Sequence, residues 1–154
     1  MEATMGKGRR ALIVLLVVIS GLLAQGLTPT GAAAAGTRPR DQMFSLTNED
    51  RAVHGKAELA LDARLSRYAK KHSREMADKG YLFHTADLAA ALKGRDWTIA
   101  GENVGVGSSL TDLEDAFMAS KLHRENILRT TFDDAAVGAF KSDGKFWVTV
   151  IFYG

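Results

Sequence analysis

Four histidines, His54, His72, His84 and His123, carry the side chains that titrate nearest neutral pH. His54 closes an expected helix, where a cation suits the negative end of the helix dipole. His72 lies beside the apolar stripe of a second expected helix. Both read as structural. His84 follows Tyr81-Leu82-Phe83, and His123 follows a third expected helix. Loops and helix ends held by a rigid scaffold are where sites form, so these two imidazoles could converge on one metal or one substrate. Glu102 stands in Gly101-Glu102-Asn103-Val104-Gly105. Flanking glycines let backbone approach an acid closely. Such a carboxylate can orient an imidazole, serve as general base or ligate a metal. The plainer alternative is a turn in which Glu102 and Asn103 satisfy nearby backbone amides. Ser120 precedes His123 on the same segment, but a serine nucleophile there lacks the glycine pattern of a nucleophile elbow. Val104–Ser108 is glycine-rich without the spacing of a phosphate cradle.

The chain that must position these groups has 154 residues, enough for one ordinary domain. Lys+Arg number 20 and Asp+Glu 18, and the small excess lies in the first 35 residues, where Lys7, Arg9 and Arg10 face only Glu2. The remainder is neutral, with no dense basic run, so a nucleic-acid footprint is excluded. There is no cysteine, which removes disulfide scaffolds and thiolate metal sites.

The N-terminus reads as an address. A positive stretch, Gly6–Arg10, precedes the apolar Ala11–Leu23, and Gly31-Ala32-Ala33-Ala34-Ala35-Gly36 supplies small residues for cleavage, expected after Ala35. A retained anchor is the alternative, but the apolar run is short and interrupted by Ser20, Gly21, Gln25 and Gly26. Residues 1–35 are therefore expected to be a secretory signal peptide, 36–42 a linker and 43–154 the domain, which acts outside the cytoplasm with no stable membrane insertion.

Within the domain, helices are expected over Gln42–His54, over Ala63–Lys79 with Asp62 as N-cap and Gly80 at C′, and over a short Leu88–Leu92 stretch capped by Asp87. Met43, Leu46 and Val53 form the apolar positions of the first; Leu65, Tyr68, Ala69 and Met76 those of the second. Trp97–Val106 reads as irregular. Thr111-x-x-Glu114 reads as a capping box opening a helix to about Leu122, with Leu113, Ala116 and Phe117 buried. Ala135–Phe140 and Lys145–Tyr153 read as strands of a hairpin about Ser142-Asp143-Gly144. The last strand is apolar on both faces, so it should be covered on both sides. These elements make an α+β protein.

The ordered set Leu46-Thr47-Asn48-Glu49-Asp50-Arg51, His72-Ser73-Arg74-Glu75-Met76-Ala77, Phe83-His84-Thr85, Gly101-Glu102-Asn103, Ser120-x-x-His123-Arg124-x-Asn126-Ile127-Leu128 and Val137-Gly138 resembles the CAP superfamily, or SCP domains, in its short bacterial branch, from about Phe44 to Phe152. The resemblance implies a three-layer α-β-α sandwich, a small antiparallel sheet covered by helices, with an open cleft lined by two histidines and acids. Carried over, His84 and His123 are the histidines, zinc ligands in some members, and Glu102 is the first acid, with Asn103 and Ser120 beside it. Ser120 stands where other branches place the second acid, and Phe117 where tryptophan is usual. Glu114 lies too far along its helix to substitute. The resemblance implies a secreted, monomeric binding module for a small hydrophobic or envelope-derived ligand or a protein partner, with optional zinc. The alternative is a zinc-assisted hydrolase of peptide or cell-wall bonds with Glu102 as general base.

Overall fold

The computed structural model describes residues 37–154; the expected signal peptide lies outside them. Among the described residues no helix is long and apolar enough to cross a membrane. The elements are α1 (Pro39–Val53), β1 (Ala60–Leu61), α2 (Ala63–Lys79), α3 (Leu88–Ala91), β2 (Ala100–Gly107), α4 (Leu110–Ala119), α5 (Lys121–Ile127), β3 (Asp134–Ser142) and β4 (Lys145–Tyr153). The sheet order is β1-β3-β4-β2.

The layers follow from β4. Val148, Val150 and Phe152 face a cluster with Met43 of α1, Leu110, Leu113 and Phe117 of α4, and Ile127 of α5. Ile151 and Tyr153 face Leu65 and Ala69 of α2. Alternate side chains thus bury on opposite faces, as the period of two requires, and the expected α-β-α sandwich results. β3 and β4 are joined by Asp143-Gly144, both at positive φ, with Ser142 paired to Lys145. That is the two-residue turn whose twist suits a hairpin. The sheet is mixed rather than antiparallel: the segment read as a connector pairs Ala60 and Leu61 in parallel with Asp134 and Ala135 of β3.

Other expectations are corrected. Within the expected linker, residues 39–42 form the first turn of α1, with Pro39 at its start; proline is tolerated there because the first amides have no helical partner. Trp97–Val106 is not irregular: Ala100–Gly107 is strand β2, paired along its length with β4. Its glycines are set by crowding rather than by turns. A Cβ on Gly105 would lie 2.9 Å from Leu113 and Phe117, and one on Gly107 2.8 Å from Leu113. Tertiary packing overrides the low strand propensity of glycine. Finally, α4 is capped by Ser109, whose hydroxyl accepts from the Asp112 amide. Thr111 and Glu114 therefore form no capping box, Ala116 is exposed, and the helix breaks at Ser120 before α5. Val53 and Tyr68 are likewise exposed rather than packed.

Glu114 instead is 2% exposed. Thr47 lies beside it, yet both carboxyl oxygens and Thr47 Oγ1 lack a hydrogen-bond partner. Burial pushes its pKa from 4.5 up to about 8 against the lowering influence of the nearby Thr47 hydroxyl, with smaller upward contributions from Asp50 and Asp115. The folded protein thus holds a proton that the unfolded chain releases above pH 4.5. Stability from this group is fully present below the unfolded value and is lost as pH rises towards 8. Stability is expected to fall by about 3 kcal/mol between about pH 5 and about pH 8 through this one carboxyl. Urea denaturation at the two pH values checks it, and Glu114→Gln should abolish most of the difference.

Candidate functional site

The site is built around β2, the strand at one edge of the sheet. Glu102 projects from its start with the side chain 5% exposed. Its Oε1 accepts the Thr85 amide at 2.8 Å and lies 2.8 Å from His84 Nδ1; its Oε2 accepts the Thr85 hydroxyl at 2.6 Å. The carboxylate therefore fixes the loop after α2 and the face of the His84 ring. With Nδ1 turned to Glu102, the other ring nitrogen, Nε2, is left for a ligand, and the His84 side chain is 64% exposed. This is the orienting role that a carboxylate plays behind a working imidazole.

The neighbouring residue holds the other half. Asn103 is fully buried, so it braces the cleft rather than lining it. Its Nδ2 donates to the His123 carbonyl at 3.1 Å, and its Oδ1 accepts from Asn126 Nδ2 at 2.9 Å. Gly101 makes room for this contact: a Cβ there would lie 2.7 Å from Asn126 Oδ1. Thus Gly101-Glu102-Asn103 grips the His84 loop with one side chain and α5 with the next. The His123 ring packs on Phe117 at 5.0 Å between centroids. Burial first, and then the charge His84 would carry, hold the His123 pKa below its usual value. Ser120 sits at the α4–α5 junction without a capping hydrogen bond from its side chain.

The remaining histidines are structural in geometry. His54 ends α1 with Nδ1 2.8 Å from the Asp50 carbonyl. His72 is 5% exposed, contacts Thr149 Oγ1 at 3.2 Å and packs edge-on against Phe83 at 4.9 Å. Its ring and Phe83 nevertheless form part of a cleft of about 520 Å³ that also takes in Tyr68, Glu75, His84 and Thr85.

The donor set does not fit a catalytic zinc centre. Such a centre takes three protein ligands, and both Glu102 oxygens are already engaged by His84 and Thr85. Two imidazoles remain. Among the described residues no group of three or more His, Asp or Glu side chains is arranged to hold a metal ion. Glu114, buried against α1, contributes nothing to the cleft.

Sequence reasoning missed Arg51. It is 1% exposed; Nε donates to the Ala57 carbonyl at 2.7 Å, and Nη1 to the carbonyls of Ile127 at 2.7 Å and Arg129 at 3.0 Å. It ties the end of α5, and so the His123 segment, to α1. Arginine inside a helix with no acid at helical spacing gives no periodicity signal. Its only trace was its place in the motif Leu46–Arg51.

With this geometry in place, residues 44–152 match the CAP: Cysteine-rich secretory protein family, and the chain belongs to it. It is 31% identical over 128 residues to "Uncharacterized protein YkwD" of Bacillus subtilis (strain 168), covering 78% of this chain and 49% of that one. It is similar in structure to an extracellular SCP-domain protein from Bacillus anthracis str. Ames, with a TM-score of 0.65 and 28% identity over 75% of this chain and 40% of that one. An outer surface protein from Borrelia burgdorferi gives a TM-score of 0.65 at 20% identity, covering 73% of this chain and 89% of that one, and shares the fold. The chain spans half or less of the length of the curated relatives it matches.

Proposed function

We propose that this protein is a secreted binding module whose cleft between α2, the loop carrying His84 and α3 takes a small hydrophobic or envelope-derived ligand, without catalysing its turnover. The observation that carries this reading is the state of Glu102: both oxygens hold His84 and Thr85 and the side chain is 5% exposed, so the carboxylate positions an imidazole and is shielded from the water a general base would activate. The surroundings suit an amphiphilic ligand. Tyr81, Leu82 and Leu122, chain neighbours of His84 and His123, are exposed apolar side chains, and Tyr68 and Phe83 flank the cleft beside them. Tyr68, Phe83, Ala86, Ala90 and Ala91 give the cleft its apolar wall, and His72, Glu75, His84, Thr85 and Asp87 its polar groups, a mixture usual in a ligand site. The ligand's polar end would meet His84 Nε2.

The test uses oleate and a muropeptide digest as probes, followed by amide chemical shifts and calorimetry. Binding of either should shift Phe83, His84 and Thr85. His84→Ala should weaken it at least tenfold. Glu102→Gln, which keeps an oxygen for the Thr85 amide, should weaken it less than tenfold, about 1.4 kcal/mol. Glu102→Ala strands the Thr85 amide and should cost about 2 kcal/mol of stability in urea denaturation. Hydrolysis of the muropeptides, or shifts confined to another part of the protein, would overturn the proposal.

A further inference from the structure

The opposite edge of the sheet borders a second groove. β1 covers only the beginning of β3. The outward-facing groups of that strand are met in turn by the Ala60 amide at Asp133, the Asp62 amide at Ala135, and the Ser66 hydroxyl, which accepts from the Val137 amide at 3.1 Å. Pairing then stops, since Leu61 is the last residue of β1 in register. Alternation along a strand places the Val137 carbonyl and both backbone groups of Ala139 on the same outward side. They face a groove of about 260 Å³ between the start of α1, the first half of α2 and β3.

The groove has an apolar floor and a basic rim. Pro39, Ala63, Val137 and Ala139 give the floor; Arg38, Arg40, Arg67 and Lys70 give the rim. Arg38 and Arg40 share one partner, Asp41. Arg67 and Lys70 form no ion pair among the described residues. An open sheet edge is a template for another strand, and among the described residues these backbone groups lie without a strand partner beside the positive charge of Arg67 and Lys70.

We propose that the β3 edge takes up a short, extended, acidic peptide segment of a partner protein as an added strand. The segment's backbone would pair with Val137 and Ala139, its carboxylates would turn to the α2 side and meet Arg67 and Lys70, and its alternate apolar side chains would turn to the α1 side beside Pro39. Backbone pairing supplies the affinity and alternate side chains the selectivity in this mode of recognition. A lipid or a free phosphate would answer the charge but leave the backbone groups unpaired, which is why the peptide is favoured.

Fluorescence anisotropy of a labelled, end-capped Glu-Val-Glu-Val-Glu peptide with the purified protein tests this. Saturable binding should weaken with salt and be absent for the Lys-Val-Lys-Val-Lys counterpart. Arg67→Glu/Lys70→Glu should weaken it at least tenfold; both side chains are exposed on α2, and circular dichroism checks that the fold is kept. N-methylation of the peptide amides that would face β3 should also weaken it at least tenfold, with the protein unchanged. No binding at millimolar peptide would overturn the proposal. So would equal binding of the N-methylated peptide, indifference to the double substitution, or full competition by millimolar inorganic phosphate or phosphatidylglycerol vesicles.

Discussion

Gly138→Ala is expected to lower stability by about 4 kcal/mol or more, the upper end of what single substitutions do. An added Cβ would lie 2.1 Å from the Ala69 carbonyl carbon and 2.2 Å from the Lys70 amide nitrogen. These are backbone atoms in the middle of α2, so no rotamer change can relieve the clash. The helix must move off the sheet, and with it Leu65 and Ala69, which pack on Ile151 and Tyr153. The same movement would disturb Ser73, whose hydroxyl lies within hydrogen-bond distance of the Gly138 carbonyl and Thr149. Thermal denaturation should show a midpoint lower by about 15 °C or more, or no folded protein at all. A drop of a few degrees would mean that the helix and β3 are not in this close contact.

Arg51→Ala should cost about 4 kcal/mol, since it leaves several buried acceptors unpaired at once. The comparison with Arg51→Met separates the causes. Truncation strands the carbonyls of Ala57, Ile127 and Arg129, together with a longer contact at 3.5 Å to Phe132. Among the described residues no carboxylate forms an ion pair with the guanidinium; carbonyls accept from it, and burial lowers its pKa despite the opposing pull of Asp133. Methionine refills the volume but returns no donor. If the donors matter more than the volume, Arg51→Met is nearly as unstable as Arg51→Ala, since an unsatisfied buried acceptor carries the full desolvation cost. Urea denaturation of both variants checks this. Recovery of more than half the stability in the methionine variant would show that packing, not hydrogen bonding, holds α1 to α5. Because the clamp ends at Ile127 and Arg129, amide signals around His123 should shift in both variants.

Elements with a strong local signal were legible in the sequence. Asp62 and Gly80 frame α2 by side-chain capping and a left-handed turn, and Asp143-Gly144 fixes the hairpin register, all within a few residues. The same holds for Asp87 and α3, whose N-cap bond runs to Ala90. What was not legible depends on distant contacts. The glycines of β2 look like a loop until α4 is laid across them. Ser109 and Thr111 compete for one cap, and the choice follows from burial of Leu110 and Glu114 rather than from the motif. The site divides in the same way. The types and order of His84, Glu102 and His123 marked them as candidates, but the role of Glu102 rests on its contacts with the Thr85 amide and hydroxyl, which no spacing rule contains. Asn103, expected in the cleft, is its buried brace for the same reason.

The central claim is that Glu102 is committed to holding His84, which leaves a cleft for an organic ligand rather than a zinc centre. It is tested most directly by calorimetric zinc titration of the compact unit Gly36–Gly154, beside its His84→Ala/His123→Ala variant. No stoichiometric zinc binding is expected at micromolar concentrations in either protein. One equivalent of zinc bound with micromolar or tighter affinity, and lost in the double variant, would contradict the claim.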